Sequence, residues 1–96
     1  MRLVVIFDDK PEMMSHRAQY EPLHLAYLED NSKEILIGGG LKESLEDIFV
    51  GGMWVLEVES FTRAEEIIKN DPYYAPEFRS YKILLWGKAG NKDVIL

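Results

Sequence analysis

The chain contains no cysteine. Disulfides, thiolate metal sites and thiol nucleophiles are therefore excluded together, and the composition suits a reducing compartment, so a cytoplasmic location is expected. Histidine is almost as scarce. His16 and His24 are the only two, without the H-x-x-x-H or H-x-x-E-H spacing of a built-in metal site, so neither a metal nor another cofactor is expected. No apolar run approaches the roughly 18 residues that a bilayer span needs. Residues Met1 to Phe7 are apolar but are cut off by Asp8-Asp9 with no small-residue cleavage site, so they read as a first strand rather than a leader. Basic residues are outnumbered, eleven against seventeen acidic, and they form no cluster or stripe. Binding to nucleic acid needs Lys and Arg to neutralise phosphates, and a net charge of −6 works against it. Neither nucleic acid nor a membrane is an expected partner.

What is present is a folded domain. The 96 residues are 47% hydrophobic, which suits one small globule and not a disordered chain. Residues 2–8 read as a strand, with Leu3, Val5 and Phe7 on one face and Val4 and Ile6 on the other. Lys10-Pro11-Glu12 is a turn. Residues 13–30 carry helical periodicity, and Pro22 divides them into two short helices or kinks a single one. Residues 34–38 form a second strand running into Gly38-Gly39-Gly40, and 52–59 a third. Ser60 is placed to cap a helix over 61–69, which Asn70-Asp71-Pro72 ends because the residue before proline avoids helical geometry. Residues 78–86 make a last strand. The single domain is expected over 1–88, with a tail over 89–96 whose Val94-Ile95-Leu96 has the composition to dock.

This order is β-α-β-β-α-β, the ferredoxin-like α+β arrangement of an antiparallel sheet with both helices on one face. The strands are apolar on both sides, as with Leu84 and Trp86 against Tyr81, Ile83 and Leu85. A half-wetted sheet would show a polar outer face. The spare apolar face therefore predicts a homodimer with two sheets packed together.

Arg17 and His24 are seven residues apart, about two helical turns, and share a face with Tyr20, Tyr27 and Leu28 beside them. Asp71 follows the second helix and is able to approach His24. A carboxylate on one imidazole nitrogen fixes the tautomer and stabilises the imidazolium formed when the other nitrogen takes a proton. By spacing alone, the plainer reading is preferred: His24 as an ordinary polar residue and Asp71-Pro72 as an ordinary helix stop. His16 has no evident partner and is expected to face solvent. Gly38-Gly39-Gly40 lacks the phosphate-loop patterns and reads as a loop needing positive φ, with Gly51-Gly52 a bulge or turn. Asp8 and Asp9 end the first strand, where they line a pocket or merely add charge.

Arg17, His24-Leu25-Ala26-Tyr27-Leu28, Gly39 with Leu41, Gly51-Gly52, Glu57, Ser60 with Ala64, and Asp71-Pro72-Tyr73 together resemble the YCII-related family of small bacterial proteins. The resemblance covers nearly the whole chain, from Asp9-Lys10-Pro11 to Trp86. It implies a dimeric α/β barrel, with His24 and Asp71 as a catalytic dyad. Its best-understood activity is cofactor-free elimination of chloride from a chlorinated hydroxyhydroquinone. A small aromatic or quinone-like substrate follows, bound by Arg17, Tyr20, Tyr27, Asp9 and Tyr73. Other aromatic candidates for the lining are Trp54, Tyr74 and Trp86. The alternative is a dimeric module that binds a small molecule without turning it over. Two positions depart from the family: Glu21 stands where a basic residue is frequent, and Gly39-Gly40-Leu41 replaces Gly-Pro-Leu.

Overall fold

The first strand, β1 (Arg2–Asp9), buries Leu3, Val5 and Phe7 on the side that the helices cover. The computed structural model describes all residues, 1–96. After β1 come α1 (Met13–Asp30), β2 (Ile35–Lys42), β3 (Phe49–Glu57), α2 (Phe61–Asn70) and β4 (Arg79–Leu85). The strands lie in the order β2-β3-β1-β4, every neighbouring pair antiparallel, which is the ferredoxin-like α+β fold.

The core lies between sheet and helices. Leu3, Val5 and Phe7 meet Trp54 and Leu56 from β3, Ile35 from β2, and Ala64, Ile67 and Ile68 from α2. Those α2 residues recur at the i, i+3, i+4 spacing of one helical face. Ser60 caps α2 as expected, its Oγ accepting the Arg63 N–H at 3.0 Å. Arg63 also reaches back to Glu34, at 2.8 and 3.0 Å, and this bond holds the Glu34 carboxyl below its ordinary value.

Of the two readings of residues 13–30, the single helix is found: it runs unbroken through Pro22, and two separate helices are excluded. The missing proline N–H leaves only the Ala18 carbonyl without its helical partner, and both residues are exposed, so water can take its place. The three glycines are strand, not a loop with positive φ; only Gly90 has φ > 0. Strand β2 continues through them to Lys42, pairing Gly38 with Trp54 and Gly40 with Gly52. Gly51 and Gly52 likewise lie within β3, facing Asp8 and Phe7 of β1, although β2 and β3 shift register beside them between Leu41 and Lys42.

Residues after β4 form no helix or strand. Ile95 is 96% exposed, and Val94 and Leu96 are also exposed, so the expected docking of the terminus is not found. No helix is long and apolar enough to cross a membrane.

Candidate active site

At its C-terminal end β1 changes character. Alternation carries the inward face from Phe7 to Asp9, whose carboxylate is fully buried. Arg79, which opens β4 and pairs with Asp9 across the sheet, grips it in bidentate fashion: Nε donates to Oδ1 at 2.6 Å and Nη2 to Oδ2 at 2.9 Å. Arg17 of α1 donates through Nη2 to the same Oδ2 at 3.1 Å and to the Gly51 carbonyl at 2.9 Å. Both guanidinium groups lie over aromatic rings, Arg17 at 4.2 Å from the Phe49 centroid and Arg79 at 4.5 Å from Phe7. The Nε of Arg17 is buried without a hydrogen-bond partner.

Two turns beyond Arg17, His24 is buried on the same face of α1. Pro72 holds Asp71 in extended geometry (φ −70°, ψ 133°) at the end of α2. There the Asp71 Oδ1 accepts the His24 Nδ1–H at 2.7 Å and the Tyr73 backbone N–H at 3.1 Å. The Tyr73 ring stacks on the imidazole with centroids 3.7 Å apart and planes 4° from parallel. Its hydroxyl donates to the Arg17 carbonyl at 3.4 Å, and burial pushes its phenol above the ordinary value. With Nδ1 held by the carboxylate, the lone pair of His24 is on Nε2, which has no partner within the chain.

These groups border a cavity of about 320 Å³, within the roughly 300–1,000 Å³ of small-molecule sites. Arg17, His24, Tyr73 and Arg79 lie on its wall with Phe49, Trp54 and the glycines of β2. Exposed Glu21 and Leu25 mark its mouth. The glycines have a steric reason here: a Cβ on Gly38 would lie 2.8 Å from Trp54 Cδ1, and one on Gly40 would run into the Phe49 ring. No three of the His, Asp and Glu side chains converge closely enough to hold a metal ion.

The structure thus brings together four of the expected site residues, His24, Asp71, Arg17 and Tyr73. It does not place Asp9, Tyr20 or Tyr27 on the cavity wall. Asp9 is occupied behind the two arginines. Tyr27 donates its hydroxyl to the Ile67 carbonyl at 2.7 Å and joins the core. Tyr20 packs beside Met13, Tyr73 and Ala75. Among the other aromatic candidates only Trp54 reaches the cavity; Tyr74 and Trp86 lie elsewhere, each partly exposed. His16 does not face solvent freely: it is half-buried, with Nε2 2.9 Å from the Pro72 carbonyl, and its ring lies 4.5 Å from that of Tyr20. Sequence reasoning passed over Arg79 and Phe49. For Arg79 the available signal was alternation, since Arg79 shares a face of the last strand with Tyr81 and Ile83.

Fold and site together define a class: a small ferredoxin-like α+β domain with a buried His–Asp pair beside an arginine-lined cavity. The YCII-related domain matches residues 1–87, and the chain belongs to that family. Among solved structures, it is similar to the 5-chloro-2-hydroxyhydroquinone dehydrochlorinase of Burkholderia phenoliruptrix, in complex with 2,5-dihydroxybenzoquinone. The two are 23% identical, with 91% of this chain and 94% of that one covered and a TM-score of 0.78. At this identity the likeness establishes a shared fold. No curated protein is similar enough to match.

Proposed function

We propose that the chain is a cofactor-independent enzyme that moves protons on a hydroxylated aromatic or quinone-like compound, with His24 as base and Asp71 as its orienting partner. The observation that carries this reading is the 2.7 Å bond from His24 Nδ1 to the buried Asp71 carboxylate, at the wall of a cavity large enough for a ring. The bond favours the tautomer with a basic Nε2 and stabilises the imidazolium that forms. Arg17 offers its charge to the developing oxyanion. The dehydrochlorinase with the same fold suggests the most concrete chemistry. His24 takes a proton from a ring hydroxyl and returns it at the chlorine-bearing carbon. Chloride then departs with the C–Cl electron pair as a second hydroxyl proton is given up. The elements of HCl are lost, and no oxidant is needed. Isomerisation would use the first proton movement alone.

The test is chloride release and quinone formation from chlorinated hydroxyquinols, with unchlorinated ones as controls. His24→Ala and Asp71→Asn should each slow turnover by about 100-fold or more. Wild-type rates in both variants would sink the proposal. Ligand-dependent thermal stabilisation with no turnover of any hydroxyquinol would instead favour the binding module.

The same proposal includes a cytoplasmic homodimer. The sheet face away from the helices leaves Ile37 56%, Leu84 48% and Trp86 47% exposed, around Val4 and Val55. Sedimentation should give twice the chain mass, and Leu84→Glu should halve it. A wild-type monomer at micromolar concentration contradicts the assembly.

A further inference from the structure

The Arg17–Asp9–Arg79 cluster does not balance its own charge. Both arginines bond the one carboxylate, and no other acidic side chain bonds either guanidinium. Two positive charges against one negative leave the cluster at +1. Its hydrogen bonds are incomplete as well. Arg17 Nε is buried with no partner, and Nη1 of neither arginine donates to any group in the chain. Arg17 Nε is closed off from the cavity as from solvent, but the two Nη1 groups are not buried, so the arginines on the cavity wall keep donors free for an oxyanion.

The surroundings specify the shape of that oxyanion. The Arg17 guanidinium lies over the Phe49 ring, and the stacked rings of His24 and Tyr73 add two further planar groups to the lining. The glycines of β2 keep side chains out of the space between. A planar ring with a charged oxygen on one edge fits these walls. The mouth carries the opposite sign: Glu21, exposed and lining the cavity, stands one helical turn from both Arg17 and His24.

We propose that the Arg17–Asp9–Arg79 cluster seats a single negative charge on a planar ring, as a ring hydroxylate or a carboxylate, and that Glu21 rejects a ring with a second negative charge on its far edge. The proposal deepens the reading of this cavity as the ligand site and rests on it. It assigns Arg79 to ligand binding and Glu21 to specificity.

Calorimetric titration of the full chain with four probes tests it. Benzoate and the anion of 2-hydroxy-1,4-naphthoquinone carry one charge, benzamide none, and terephthalate two on opposite edges. At least one monoanion should bind about tenfold or more tightly than benzamide and terephthalate, and the tighter of the two monoanions identifies the source as carboxylate or hydroxylate. Arg17→Gln should weaken that monoanion by about 30-fold or more. Glu21→Gln, at an exposed position where folding is not at stake, should bring terephthalate within about threefold of benzoate. Benzamide binding as tightly as both monoanions would overturn the seat, as would binding of none of the probes, or terephthalate still excluded from Glu21→Gln. Because titration needs no turnover, the two readings fail separately. A protein that ranks the probes this way but releases no chloride keeps the seat and loses the enzyme. One that releases chloride without regard to probe charge does the reverse.

Discussion

The layer between sheet and helices has two ends, and the same elements build both. At one end β1 contributes Leu3 and Val5, β3 Leu56, β2 Ile35 and β4 Ile83; at the other they contribute Asp9, Gly52, Gly40 and Arg79. Along α1 the inward positions run from Leu28, packed on the core, back to His24 and Arg17. Each element thus passes from large apolar side chains to glycine or charge within a few residues. The apolar end is held by close packing and the polar end by paired charges around a space left unfilled. Stability and chemistry are therefore separated along the strands, not divided among them.

Substitutions at the two ends should cost comparable stability but differ in what else they disturb. Asp9→Ala is expected to cost most, about 3–5 kcal/mol, because it strips the shared carboxylate from two buried arginines. A urea midpoint equal to wild type would mean that the arginines hold themselves apart without it. Leu56→Ala should cost about 2–5 kcal/mol by leaving a void at a fully buried position. At a temperature where this variant stays folded, its affinity for a ring monoanion should match wild type; a marked loss would show that the two ends are not separable. The smallest effect belongs to Glu34→Gln at the apolar end, about 0.5 kcal/mol, since the Arg63 pair is partly exposed. Its sign with pH is set by the lowered Glu34 pKa. The contribution is fully present above the ordinary carboxylate value and fades as pH falls through the depressed one, so wild type and variant should converge in acid. A gap that widens in acid would contradict the pairing.

The apolar end was legible in the sequence because its signals are local. Alternation in Leu3, Val5 and Phe7, the serine cap and the Asp-Pro stop each act over a few residues. The polar end was legible only in part. His24 and Asp71 stand 47 residues apart, and spacing alone left their pairing open; the family resemblance supplied it. Asp9 was read as a ligand contact because nothing nearby reveals that Arg79, 70 residues on, already occupies it. The glycines of β2 were read as a loop because glycine is the residue that adopts positive φ most readily. The rings of Trp54 and Phe49 take up the volume that side chains at Gly38 and Gly40 would fill, a fact of tertiary packing that no local pattern carries.

Glycine surrenders more conformational freedom on folding than any other residue. Three in succession therefore make the cavity wall the least economical stretch of the sheet to keep ordered. That stretch is also an edge strand, hydrogen-bonded to β3 alone. Its ordering entropy is recovered whenever the strand lifts away, whereas the packed residues around Leu56 and Ile68 gain nothing by following. Backbone amides at Gly38–Gly40 are therefore expected to exchange with solvent faster than those of Leu56 or Ile68, by local opening that leaves the rest of the domain folded.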